Sequence, residues 1–231
     1  MFQHYFLQEA DQEKLRKSGC NALFLPQTLY ITPQDGKDAA MVVGETSSEG
    51  YLDGHSTWVN VEGVSEGLCA QSRPHFFRGV ATVVTKLFNI VDPDAAFFGK
   101  KDYQQLKVIS RMVRDLDFSI DIIGVDIMRE DDGLAMSSRN ALLTAENRLN
   151  APVIYESLVN ARDLCQQRSC SADRIIETIS HSIEAENGII DYVAVVDCDN
   201  LRPLQETTPG KTLVAVAAFF GQVRLIDNME M

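Results

Sequence analysis

Ala95-Ala96-Phe97-Phe98, followed by Gly99-Lys100-Lys101-Asp102 and closed by Ser119-Ile120-Asp121-Ile122-Ile123-Gly124-Val125, is the stretch that decides the fold. The apolar run 95–98 reads as a strand, and Gly99-Lys100-Lys101 breaks it. Asp102 is placed to cap a helix, with Gln105 as its capping-box partner. Leu106, Ile109, Met112, Val113 and Leu116 recur at helical spacing and give that helix a buried stripe. Residues 119–125 form the next strand. Strand, turn, helix and strand make a βαβ unit, whose crossover is right-handed. Such sheets bind ligands at the carboxyl ends of their strands, where Gly99 to Asp102 lies.

Upstream, Arg78 to Val91 predicts a helix with Val80, Val83, Val84, Leu87, Phe88 and Val91 on one apolar face. Thr57 to Val61 alternates like a strand, and residues 32–54 are polar and Gly/Ser-rich, a loop or ragged hairpin. Leu7, Ala10, Lys14 and Leu15 predict a first helix stopped at Gly19, and the apolar run 21–25 a strand closed by Pro26. Downstream, residues 129–140 are loop-like, helices are expected over 146–166 and 172–186, and strands over 191–196 and 211–220. Helices and strands there no longer alternate as βαβ. The chain therefore divides into residues 1–125, an α/β domain, and residues 126–231, a smaller α+β domain.

The 231 residues carry 21 Lys plus Arg against 33 Asp plus Glu, a net charge of −12. That field argues against a nucleic-acid or acidic-membrane partner, so any anionic ligand must meet a local cluster of cations. A hydrophobic content of 45% is enough for a core. No apolar run reaches the ~20 residues that span a bilayer. The opening residues 1–14 lack the basic and apolar regions of a signal peptide. Five scattered cysteines without C-x-x-C spacing read as reduced thiols, with no zinc site.

Two short motifs point to anion chemistry. At Gly99-Lys100-Lys101-Asp102, a strand-end glycine admits close backbone approach, and helix-start N–H groups and two lysines favour negative charge. It is equally an ordinary βα turn with solvated lysines. At Met136-Ser137-Ser138-Arg139-Asn140, two hydroxyls and a guanidinium fork suit a phosphate, though a solvated loop preceding a helix reads the same way. Gly63-Val64-Ser65-Glu66-Gly67 spells the G-x-S-x-G elbow of hydrolases, but no credible acid and histidine follow. Pro209-Gly210-Lys211-Thr212 resembles the end of a P-loop, yet Gln205 stands where that motif needs glycine. Glu130-Asp131-Asp132 reads as a solvated loop before a cation site.

Longer blocks carry a more specific signal. Ser72-Arg73-Pro74 with Phe77 to Asn89, Gly99 to Gln105, Asp132 to Asn140 and the closing Arg224-Leu225-Ile226-Asp227-Asn228 together resemble the pantothenate synthetase (pantoate–β-alanine ligase) family, in order, from about residue 8 to the end. The resemblance implies a nucleotidyltransferase-type fold: a Rossmann-like parallel sheet with a smaller C-terminal α+β domain that closes over the site. It implies ATP-dependent joining of pantoate and β-alanine through a pantoyl adenylate, with pyrophosphate and AMP released. It places Gly99, Lys100, Lys101, Asp102, Met128, Met136, Ser137, Ser138 and Arg139 around ATP. Lys101, Ser137, Ser138 and Arg139 act on the phosphates, and Gln105 holds pantoate. Magnesium arrives on the triphosphate, with no dedicated protein ligands. A cytoplasmic homodimer is implied as well.

Two departures accompany the resemblance. The family writes Ser-Arg-Pro-Gly-His-Phe-Arg where this chain has Ser72-Arg73-Pro74-His75-Phe76-Phe77-Arg78, so Phe76 occupies the histidine position. The family's opening strand, its Met-Gly-x-x-His-x-Gly-His turn and its Asn-Pro-x-Gln-Phe segment are also without counterpart, and His4 is no substitute. The parallel sheet is thus expected to be N-terminally incomplete, and the chain to be a poor catalyst and a marginal fold. The alternative reading is a catalytically inactive truncated relative that keeps weak nucleotide binding or a dimer surface.

Overall fold

The computed structural model describes residues 9–26, 29, 55–71, 73–165 and 170–231. The chain forms two units, residues 1–39 with 51–56, and residues 40–50 with 57–231. In the first, helix α1 (Glu9–Lys17) has acids in its first turn and bases in its last, as the helix dipole favours. Gly19 ends it at φ +81°, as expected. The strand expected at 21–25 is not formed: Leu23, Phe24 and Leu25 are exposed and pair with no strand among the described residues. The 32–54 segment and Leu7 lie outside the described residues.

The second unit opens without the strand expected at 57–61. The Val59 N–H donates at 3.0 Å to Thr82 Oγ1, a helix side chain, where a ladder carbonyl would be needed. Helix α2 (Phe76–Val91) buries Phe77, Ala81, Val84 and Phe88 along one stripe, while Val91, assigned to the apolar face, is exposed. Strand β1 (Ala95–Gly99), helix α3 (Tyr103–Asp115) and strand β2 (Asp121–Val125) then form the βαβ unit, β1 and β2 pairing in parallel register from Ala95↔Asp121 to Gly99↔Val125. Leu106, Ile109, Met112 and Val113 are buried on α3, whereas Leu116 lies past its end and is exposed.

The single helix expected over 146–166 is two, α4 (Ala145–Asn150) and α5 (Val153–Cys165), because Pro152 cannot donate the hydrogen bond that would carry one into the other. Helix α6 (Ala172–Ala185) is capped by Ser171, whose hydroxyl accepts from the Arg174 N–H. Strands β3 (Ile189–Asp197), β4 (Thr212–Phe220) and β5 (Val223–Glu230) make an antiparallel sheet in that order; β5 has no counterpart among the strands read from the sequence.

Side chains alternate across a strand. On β4, Leu213 and Ala215 enter a core shared with α2 and α3, while Val214, Val216, Ala218 and Phe220 enter a second core under α5 and α6. Covered on both faces, β4 is apolar at nearly every position, which is why its sequence reads as a run and not an alternation. The architecture is α/β, a parallel sheet followed by a C-terminal antiparallel sheet. Phe220 is fully buried in the second core. Phe220→Ala is expected to lower unfolding stability by ~3–5 kcal/mol, read as a reduced denaturant midpoint with an unchanged far-UV spectrum in the folded baseline.

Candidate active site

The Gly99 to Asp102 turn sits at the carboxyl end of β1 and runs through a 3-10 turn into α3. Gly99 has an ordinary extended backbone (φ −69°), and a Cβ there would meet open space. The position is open to an approaching group, without needing glycine's conformational freedom. Asp102 does precede α3, but its side chain accepts no capping hydrogen bond and Gln105 does not complete a capping box, because the 3-10 turn already leads the backbone into the helix. Gln105 is half-buried on the first turn of α3.

The two adjacent lysines have different surroundings. Lys100 Nζ pairs with Asp126 at 2.9 Å and Glu230 at 3.0 Å, and these carboxylates raise its pKa. Lys101 has no such pair among the described residues. Burial, and secondarily Arg139, lower its pKa, opposed by Asp102 and Asp227. It lines a small cavity of about 10 Å³ with Leu134, Ala135 and Asp227.

Residues 128–136 fold back on themselves: the Met136 N–H donates to the Met128 carbonyl at 2.9 Å, and Arg129 bridges Ala135. Met128 and Met136, distant in the motif reading, are thereby neighbours, both exposed. Ser137 Oγ accepts from the Arg139 N–H at 3.2 Å and caps a short 3-10 turn, Ser138–Leu142. Ser138 and Arg139 are at its start, Arg139 exposed. Of the acidic residues 130–132, Glu130 and Asp132 serve this loop. Arg148 holds Glu130 and Asp132 at 2.6 Å each, and Asn140 donates to Glu130 at 2.7 Å. Asn140 chiefly lowers the Glu130 pKa, and Arg148 that of Asp132.

Cations converge here in an otherwise acidic chain. Arg73, stacked 4.7 Å over Phe76, has its pKa lowered by burial first, then by the fields of Arg139 and Arg224. Arg139 thus acts electrostatically on both Arg73 and Lys101. Partly buried cations such as Lys101 and Arg73, only partly offset by Asp102 and Asp227, are what a polyanion site requires. Among the sequence-derived residues, Lys101 and Arg139 lie within electrostatic range of each other, while the Lys100 ammonium is engaged with Asp126 and Glu230. Arg73, Arg129, Asp227 and Asn228 have no role that the sequence reading assigns. The available signal was an Asp-Asn pair flanked by Leu225, Ile226 and Met229 in the closing stretch, since buried polar groups need partners.

His75 has a left-handed backbone (φ +62°), the region favoured by the glycine that the family pattern writes at that position. It lines a cavity of about 180 Å³ with Asn60, Ser65, Arg73 and Arg78. Ser65 is no nucleophile elbow: residues 57–61 are not a strand, and the 63–69 loop is fixed by buried Gln104, which donates to the carbonyls of Val64, Glu66 and Gly67 and accepts from the Cys69 N–H.

Fold and site together define an α/β protein with a cationic cluster at the carboxyl end of a parallel strand. Comparison with known proteins bears on the fold and the family. The sequence model of the family described as pantoate-beta-alanine ligase matches residues 2–230. The pantoate–β-alanine ligase of Lotus japonicus is 46% identical over 230 residues, covering 96% of this chain and 74% of that protein. A crystal structure of pantothenate synthetase from Thermus thermophilus superposes with a TM-score of 0.79 at 37% identity, over 98% of this chain and 76% of that one. One of the Francisella tularensis pantoate–β-alanine ligase, complexed with β,γ-ATP and β-alanine, superposes at 0.60 and 28% identity, over 77% and 59%. The chain belongs to the pantoate–β-alanine ligase family, ligases of pantothenate synthesis.

A fluorophosphonate probe is expected to leave Ser65 unlabelled, as mass spectrometry of the digested chain will record. Stoichiometric labelling there would revive a hydrolase reading.

Proposed function

We propose that this chain joins pantoate and β-alanine at the expense of ATP through an acyl adenylate. A pantoate carboxylate oxygen attacks the α-phosphorus, and pyrophosphate leaves. The β-alanine amine then attacks the acyl carbonyl, loses a proton and displaces AMP, giving the amide. ATP enters as its magnesium complex, the metal held by phosphate oxygens and water.

In this reading Lys101 meets the phosphates from the α/β part, residues 1–125. Ser137, Ser138 and Arg139 meet them from the C-terminal part, residues 126–231, acting as a lid. Gly99, Lys100 and Asp102 line the turn beneath the nucleotide, Lys100 by its backbone. Met128 and Met136 flank the adenine, and Gln105 orients pantoate. Charge builds on the phosphate oxygens as the new bond forms, and fixed cations and hydroxyl donors aimed there lower the barrier. Closure keeps water from the adenylate. The observation that carries the reading is that Lys101, at the carboxyl end of β1, lines a cavity with Leu134 and Ala135 of the segment leading into Ser137–Arg139, and lies in the field of Arg139, in a chain of net charge −12. The Francisella relative's complex with a nucleotide and β-alanine supports the substrate classes. The reading extends to a homodimer in the cytoplasm, as the family resemblance implies; among the described residues no helix is long and apolar enough to cross a membrane.

The test is AMP release with ATP, magnesium, pantoate and β-alanine, together with pantoate-dependent pyrophosphate exchange. Lys101→Ala is expected to slow exchange by ~10²–10³-fold relative to the unsubstituted chain, the usual cost of one preorganised donor. An unchanged rate sinks the assignment. Retained ATP binding without AMP release would point to a non-catalytic relative.

A pH profile gives a second expectation. Only protonated Lys101 attracts phosphate, and its pKa lies below the ordinary lysine value of 10.5. ATP affinity should therefore fall as pH rises through a value under 10.5, with Lys101→Arg moving the fall upward. Titration of ATP binding against pH reads this directly.

A further inference from the structure

We propose that Asn228, on β5, is a positioning residue that fixes the backbone of the 99–102 turn so that Lys101 faces the nucleotide phosphates. The inference rests on the assignment of Lys101 to those phosphates. Asn228 is buried, and its side-chain amide donates both hydrogens, to the Lys100 carbonyl at 2.9 Å and the Lys101 carbonyl at 2.9 Å. Two successive carbonyls of one turn are thus held by one planar group. Its own backbone N–H donates to Asp227 Oδ1 at 2.8 Å. Asp227 in turn binds Arg129 through both oxygens, at 2.6 and 3.0 Å. The chain of contacts runs from the 128–136 hairpin through β5 to the turn that bears Lys101.

The side-chain type is specific. Serine offers one donor where the turn presents two acceptors. Aspartate keeps the shape but would aim negative oxygens at two carbonyls. Glutamine is a methylene too long for a site this buried. Nearby, Glu230 accepts from Tyr103 Oη at 2.8 Å and from Lys100 at 3.0 Å, anchoring the flanks of the turn. Among the described residues, only the Asn228 side chain grips the main chain at Lys101 itself.

The test measures magnesium–ATP affinity by calorimetry for the unsubstituted chain, Lys101→Ala, Asn228→Ala and the double variant. Each single change is expected to weaken binding ~10-fold, the scale of one or two lost hydrogen bonds. In the double variant the Asn228 change should add less than ~2-fold, because the group it positions is gone. Additive losses overturn the proposal, as does an Asn228→Ala chain that binds like the unsubstituted one while Lys101→Ala does not. If Lys101→Ala leaves affinity unchanged, the phosphate assignment fails. The inference about the turn is then judged by competitive labelling with acetic anhydride in the absence of nucleotide. Asn228→Ala should shift the pH profile of Lys101 labelling and leave Lys211 unaltered; an unshifted Lys101 profile overturns it. If Asn228→Ala does not fold, the uncharged Asn228→Ser, which keeps one donor, carries the same readouts, and loss of fold in both assigns Asn228 a structural role and rejects the proposal.

Discussion

A carboxylate buried to 4% exposure cannot stay ionised without a partner, and Asp227 is such a carboxylate. Desolvation pushes its pKa up; the Arg129 guanidinium, bound through both oxygens, pulls it back. Breaking a buried pair of this kind typically costs ~3–5 kcal/mol, because the remaining charge is stranded. Arg129 also stacks 3.9 Å over the Tyr155 ring and donates to the Gly133 carbonyl, so the pair ties the 128–136 hairpin to both β5 and α5. Gly133 has φ +89° and would bring a Cβ to 2.4 Å from the Tyr155 ring, so the hairpin fits only because that position lacks a side chain. The 99–102 turn is joined to the same strand through Asn228. Both halves of the candidate site thus hang from one closing strand.

The electrostatic pattern is one of separation. Most acids near the site already have partners: Glu130 and Asp132 with Arg148, Asp126 and Glu230 with Lys100, and Asp191 with Arg224. These pairs shape loops and anchor the turn, which leaves Asp102 and Asp227 as the acids acting on Lys101. Lys101 and Arg73 are partly buried and Arg139 is exposed, and Asp102 offsets part of the charge of the first two. In a chain of net charge −12, cations can gather at one place only by such local sorting.

The sequence by itself determined the βαβ unit, because an apolar run, a Gly-Lys-Lys break and a helical stripe leave few other readings. It also determined the family, through long blocks agreeing in order, and it named Lys101 and Ser137 to Arg139 as anion-binding types. Local periodicity failed where partners are distant. Residues 57–61 alternate like a strand, but Val59 gives its N–H to Thr82 on α2, and Pro152 divides a helix that the apolar pattern runs together. Tertiary structure alone decided which of two neighbouring lysines is engaged, since Asp126 and Glu230 reach Lys100 from other elements. It alone gave Asp227 and Asn228 their tasks. A polar pair in a strand has meaning only once the groups it must satisfy, Arg129 and the carbonyls of Lys100 and Lys101, are brought against it by chain segments about a hundred residues away.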